Sequence, residues 1–281
     1  MHQTSASFWL RVLALSVGAL LSTMFAFIFF SATEALWVGR GLSLFGAVWS
    51  PQRGKFGIAA MIHASFLLSL SALCLGWLLS LGCCCVLRGL GPRWLSAVLN
   101  VALRFMTAVP TVVYGFTAVF LLVPLIRDAL GGSGFCWLAA GVMLAFQGIP
   151  TMTVVMDGAM RTIEAETSLT AAALGMNPIQ NLNRVVIPAS RSWLLSAAIL
   201  GFGRALGDAL LPTMLAGNAV QFASTPLDSM RSLTAHISLV LSSNIGGGEN
   251  LSLLLAGGLL LAGSAAVSLL ALFSKQETHG R

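Results

Sequence analysis

The sequence predicts an all-α, polytopic membrane protein with six transmembrane helices. Two observations carry that prediction. Only 9% of the 281 residues are charged and 57% are hydrophobic, against about 25% charged in a soluble domain. Apolar runs of the length a bilayer demands, about 20 residues, recur at 8–30, 56–86, 95–126, 135–156, 193–216 and 251–273. The mean hydropathy of +0.90 agrees. No stretch beyond the loops is left over for a soluble unit, so residues 1–281 read as a single transmembrane domain.

Taken in order, the first run lacks a basic segment ahead of it and is longer than the apolar core of a signal peptide. It is expected to be retained, although Ser31-Ala-Thr-Glu-Ala35 is faintly like a cleavage site. The second and third runs exceed the bilayer thickness and are expected to tilt or protrude. Pro110, Pro150 and Pro212 fall inside runs. Membrane helices tolerate proline where neighbours satisfy the freed carbonyls.

Basic residues near span ends set orientation. With the N-terminus inside, the inner segments hold Arg11, Arg88, Arg93, Arg161, Arg184, Arg191, Lys275 and Arg281. The outer loops hold Arg40, Arg53, Lys55, Arg127 and Arg231. The bias predicts both termini in the cytoplasm, 157–191 as the longest cytoplasmic loop and 217–250 outside.

Several chemistries are excluded. The net charge of +6 is spread through loops with no basic stripe, so nucleic acid is not an expected partner. Cys74, Cys83, Cys84, Cys85 and Cys136 all lie in apolar runs. Three adjacent cysteines point in different directions around a helix, the wrong geometry for one metal, and they read as packing residues. His63 and His236 have no second ligand at i+4 and read as packed or solvated. No metal or cofactor is expected. Nothing matches the phosphate-binding G-x-x-x-x-G-K-[ST] loop, and Lys55 and Lys275 lack a glycine-rich approach. With no Ser/His/Asp grouping either, no catalytic residue is expected. ATP hydrolysis, if it drives this protein, falls to another subunit.

The fifth run carries the most informative segment, Gly201-Phe-Gly-Arg-Ala-Leu-Gly-Asp208. A charge at the bilayer centre costs about 2.5–3.5 kcal/mol on insertion scales, so such residues face a protein interior or a water-filled path. Arg204, midway along the run, and Asp208, four residues on, are expected to share a helical face and pair. A guanidinium is always charged and forks onto two oxygens, which suits Arg204 to an anion path, with Asp208 holding it when the path is empty. A structural staple is the competing reading, disfavoured because burying an ion pair gains little stability. Arg104 has no acid near it in sequence and is a weaker pathway candidate. Gly203 and Gly207 form a G-x-x-x-G step, expected to pack against a partner subunit.

Residues 157–191 are the second informative segment. Thr167-Ser-Leu-Thr-Ala-Ala-Ala-Leu-Gly175 predicts a short alanine-rich helix with Gly175 just past its end. Pro178 suits the first turn of a second helix, and Pro188 marks the return to the membrane. The segment reads as a rigid elbow able to receive motion from a soluble partner or, taken alone and with equal weight, as an ordinary amphipathic interfacial segment.

Gly175, followed thirteen positions later by Pro188, resembles the EAA loop of ABC importer permeases. Trp49-Ser-Pro51 with Phe56-Gly57, Ala108-Val-Pro-Thr-Val-Val-Tyr-Gly115, Phe120-Leu-Leu-Val-Pro-Leu-Ile126, Gly203-Arg-Ala-Leu-Gly-Asp208 and Met214-Leu-Ala-Gly-Asn218 resemble the phosphate importer permeases of the PstC/PstA type. The ending at Asn218 and Ser229-Met-Arg-Ser-Leu-Thr-Ala-His-Ile237 lean toward PstC. The resemblance implies a type I ABC importer permease fold in a bacterial inner membrane, forming half of a phosphate pathway. It implies a second permease subunit, an ATPase dimer below and a periplasmic or lipid-anchored phosphate-binding protein above. Arg204 and Asp208 would line the pathway, and Ala171, Ala172, Gly175 and Pro188 would couple to the ATPase. Two positions depart from the pattern: the family's EAA glutamate falls on Leu169, and its membrane glutamate is Asp208, one methylene shorter. A permease for sulfate, molybdate or phosphonate, and a self-contained channel or secondary transporter, are the alternatives. The latter would not need the elbow.

Overall fold

The computed structural model describes residues 2–37, 44–242 and 248–279. Helix α1 (His2–Trp37) is followed by a small hairpin of β1 (Trp49–Ser50) and β2 (Lys55–Phe56). Then come α2 (Ala59–Cys85) with a π-helical turn at Val86–Leu90, α3 (Arg93–Ala108), α4 (Thr111–Leu130) and α5 (Trp137–Ala173). The elbow follows as α6 (Pro178–Asn181), a π turn at Leu182–Val186 and α7 (Ile187–Ala189). The chain ends with α8 (Arg191–Gly207), α9 (Leu210–Leu215), α10 (Leu233–Leu241) and α11 (Gly248–His279). Arg40 and Arg281, which entered the orientation argument, lie outside the described residues.

Among the described residues, five helices are long and apolar enough to cross a membrane: α1, α2 with its π turn, α4, α5 and α11. A sixth span results if the elbow and α8, bent by 65°, count as one. The number agrees with expectation, but three boundaries do not. The run 95–126 is two helices, because Pro110 pushes Val109 into extended backbone (φ −77°, ψ 126°) and sits at the N-terminus of α4. The run 193–216 breaks after Gly207. The fourth span continues to Ala173, so the expected short alanine-rich helix is the far end of α5. At 37 residues α5 is about 55 Å long, well beyond a ~30 Å hydrocarbon layer.

Small residues let the bundle close. The buried face of α2 includes Ala60, Ala64, Ala72, Gly76, Ser80 and Cys84, spaced in multiples of four, a ridge that admits a close neighbour. Helix α5 lies along it. A Cβ on Gly76 would stand 2.7 Å from the Met152 Cε and 3.1 Å from the Ala145 carbonyl oxygen. The Ser80 hydroxyl donates to the Ile149 carbonyl at 3.2 Å, and the Cys84 thiol to the Thr153 carbonyl at 3.6 Å. Cys84 is therefore a packing residue that also ties two helices together. One core joins α2, α4, α5 and α9 around Leu68, Tyr114, Leu144 and Leu211. A second, built on Met152, Met156 and Met160 of α5 with Leu182, Val186 and Leu194, supports the elbow.

Candidate functional site

Helix α8 ends one residue before Asp208, whose backbone is extended (φ −74°, ψ 127°). Arg204 therefore occupies the last turn of α8 and not the middle of a span. The negative end of the helix dipole favours a cation there. Thirteen residues after Arg191, it stands about 20 Å along the helix from the elbow. The two charges do not pair. The Asp208 Oδ1 accepts the Leu211 amide at 2.9 Å and caps α9, while its carbonyl accepts the Thr234 hydroxyl at 2.8 Å. Among the described residues the ion pairs are Arg88–Asp157, Arg88–Glu164 and Arg127–Asp128. The expected Arg204–Asp208 pair is corrected accordingly: the helix that would have stacked them stops between them.

Arg204 is exposed beside a hollow of about 440 Å³ lined by Thr151 of α5, Ile199, Leu200 and Gly203 of α8, and Ser264, Val267 and Ser268 of α11. Gly203 lets α8 and α11 approach: a Cβ there would meet Val267 Cγ1 at 3.0 Å, whereas one on Gly207 would meet open space. The G-x-x-x-G step thus packs, through Gly203, against this chain's own α11.

Two separated motifs pack against one another beside α9. The Tyr114 hydroxyl donates to the Met106 carbonyl at 2.7 Å. The next residue, Gly115, faces Met214 of α9, whose Cε would stand 3.1 Å from an added Cβ. The Gln147 amide donates to the Thr111 hydroxyl at 2.9 Å and ties α5 to the start of α4. Arg104 lies exposed on α3, away from any carboxylate partner among the described residues.

A cap covers the side opposite the elbow. The Met230 amide bonds the Ala216 carbonyl at 2.8 Å, and Arg231 Nε the Asn218 carbonyl at 2.9 Å. Asn218 itself adopts a positive φ of 57°. Amides of Thr225 and Ser224 bond the Asp228 carboxylate and hold its pKa below the usual carboxylate value. His236 is fully buried, with its ring 4.4 Å from Trp49 of the hairpin and its Nε2 3.4 Å from the Ser252 hydroxyl. Burial, helped by the Arg231 charge, pushes its pKa down to about 4. His236 is a packed histidine; His63 lies against Phe222, ring centroids 5.4 Å apart.

The elbow turns at the residues its sequence marks. The Met176 amide bonds the Ala171 carbonyl and the Gly175 amide the Ala172 carbonyl, both at 3.0 Å. Gly175 has a φ of +74°. Together these form a Schellman stop. Asn177 and Gln180 then cap α6 reciprocally at 2.8 and 3.0 Å, with Pro178 in its first turn. Pro188 lies in α7, just ahead of the bend into α8. Ala171 is buried and Ala172 exposed. Leu169 and Leu174 are 83% and 75% exposed, an apolar tip on a projecting helix.

Sequence reasoning missed one cluster. Arg88 Nε donates to Asp157 Oδ1 at 2.7 Å, and its Nη1 to Glu164 Oε2 at 3.3 Å, so the end of α2 grips α5 where α5 continues toward the elbow. Asp157 and Glu164, seven apart on one face of α5, were the available signal.

The family profile described as binding-protein-dependent transport system inner membrane component matches residues 81–275. A probable ABC transporter permease protein, YqgH of Bacillus subtilis, is 29% identical over 216 residues, covering 76% of this chain and 70% of that protein. The phosphate transport system permease protein PstC of Xylella fastidiosa is 28% identical over 234 residues, covering 74% and 72%. The protein of that name from Haemophilus influenzae is 27% identical over 279 residues, covering 92% and 86%.

Proposed function

The chain belongs to the family of binding-protein-dependent transport system inner membrane components, and from that premise we propose that it is a permease subunit of an ATP-driven importer of inorganic phosphate. It forms, as one permease domain, half of the translocation pathway in a bacterial inner membrane. A second permease subunit supplies the other half. A periplasmic or lipid-anchored binding protein delivers phosphate, an ATPase dimer drives the cycle, and lipid surrounds the assembly. The permease hydrolyses nothing itself.

The observation that carries the reading is Arg204. It is a fixed cation with no ion pair among the described residues, exposed beside a partly polar hollow. It sits about two thirds of the way across a bilayer measured from the elbow. Such a charge lowers the barrier for an anion without trapping it. The relatives named for phosphate support that anion over other oxyanions, and the family supports a subunit of an importer over a self-contained channel.

On this reading both termini and the elbow are cytoplasmic, and the cap over α9 and α10 is periplasmic. The turn at 171–175, with Leu169 and Leu174 beside it, docks in a groove on the ATPase. Pro188 fixes the bend through which that motion enters α8, with Arg204 at the far end of the same helix and Asp208 just beyond it. Leu169 makes the docking contact apolar where the family pattern has a glutamate. The test is uptake by a reconstituted complex of this chain with its co-expressed ATPase, second permease and binding protein. Labelled phosphate should accumulate only with ATP, and excess sulfate or molybdate should not compete. ATP-independent equilibration, or accumulation of sulfate in its place, contradicts the proposal.

A further inference from the structure

We propose that Ser264 and Ser268 of α11, with Thr151 of α5, complete the Arg204 hollow as a transit site for a tetrahedral oxyanion; this rests on the permease reading above. Four residues apart on α11, the two serines share a face. That face meets α8 where Gly203 admits Val267, so both hydroxyls border the hollow that Arg204 borders. Among the described residues the lining holds one cation, three hydroxyls and no carboxylate. That composition suits an anion carrying several acceptor oxygens. Its volume, about 440 Å³, falls among small-molecule sites.

The hydroxyls also explain why such a site passes an anion on. Ser268 donates its proton to the Ser264 carbonyl at 2.9 Å, so its donor is satisfied by the helix when the hollow is empty. A hydroxyl can rotate from that carbonyl to an arriving oxygen and back again. The exchange swaps one hydrogen bond for another, so the site stays weak, as a transit step requires. Arg204 supplies the attraction and the hydroxyls replace part of the anion's lost hydration.

The test uses the assembled transporter with its native cysteines replaced. Ser264→Cys and Ser268→Cys are treated in turn with an anionic and a cationic thiosulfonate of similar size. The anionic reagent should react about tenfold faster, as expected where a nearby cation focuses the field. The preference should vanish in an Arg204→Gln background, and inorganic phosphate should slow the reaction. The Ser264→Ala/Ser268→Ala pair should lose uptake by about fivefold per hydroxyl, and Ser268→Thr should retain it. Equal rates for both reagents, no reaction with either, or no protection by phosphate overturns the site. Full uptake by the double alanine variant does the same. If Arg204→Gln still abolishes uptake in those cases, the permease reading stands without the hydroxyl site. If the unaltered complex imports no phosphate, the reading itself has failed.

Discussion

Asp208 stands where one helix stops and the next begins, and its carboxylate serves the second. Its Oδ1 accepts the Leu211 amide, and a lost cap of this kind costs about 1 kcal/mol. Asp208→Asn keeps an acceptor at that place, and Asp208→Ala does not. Membrane abundance should therefore follow native, then Asn, then Ala, with Asn close to native. Equal abundance of the Asn and Ala variants would show that the cap does not stabilise the protein. At the buried His236, the depressed pKa sets a direction. The unfolded histidine titrates near 6.5 and the folded one near 4, so the unfolded state binds the extra proton between those values. Stability is complete above about pH 6.5 and falls as pH drops toward 4, by up to about 3 kcal/mol. The His236→Phe variant keeps a ring against Trp49 and should lose that acid-side fall. Melting temperatures of the two proteins at pH 7.5 and pH 5 measure it. Gly175 is simpler: its φ of +74° disfavours a β-branched side chain, while an added Cβ meets open space. Gly175→Val should strain the turn by about 1–2 kcal/mol, leave the bundle folded and uncouple ATP hydrolysis from uptake. Unchanged uptake with normal ATPase co-purification would rule out docking at this turn.

At the level of elements, α5 joins the bilayer to the elbow in one piece, and Arg88 fastens it where it turns toward the elbow. The three charged side chains are 16%, 26% and 34% exposed. Removing Arg88 leaves two carboxylates without their partner, at a cost of about 1–3 kcal/mol for so partly buried a cluster. Arg88→Gln should lower the melting temperature in detergent, and adding Asp157→Asn with Glu164→Gln should restore much of it. Additive losses in the triple variant would show that the charges act separately. The limits of sequence reading follow from the same elements. Gly175, Pro178 and Pro188 are local signals, so the elbow's corners were legible. The break at Asp208 has local marks, a cap on the Leu211 amide three residues on and Pro212 in the first turn of α9, but its Thr234 hydroxyl bond comes from 26 residues away, and a tertiary bond of that kind leaves no periodic mark. Arg88 finds its partners 69 and 76 residues along the chain, beyond any pattern of neighbours. The division of the third run was legible in Pro110 and in the extended residue a proline demands before it. Sheer apolar length masked it.

At the scale of the whole molecule, the proposed anion path lies at one end of α8 and the proposed docking elbow at the other, within a bundle closed by small residues. Orientation follows from that arrangement. A cysteine at exposed Gln180, in a cysteine-free background, should react with impermeant reagent only from the cytoplasm, and one at exposed Ser224 only from the periplasm. The reverse pattern would invert the assignment of both faces. On the proposed reading, Arg204 is the cation the substrate passes. Phosphate uptake by Arg204→Gln and Arg204→Lys, normalised to assembled complex in the membrane, measures it directly. The glutamine variant should assemble normally and import about a hundredfold less, a factor corresponding to the ~3 kcal/mol scale of one charge within the bilayer. The lysine variant, which keeps the charge and loses the fork, should fall between it and the native protein. Native uptake by a normally assembled Arg204→Gln complex would mean that the substrate does not pass this cation.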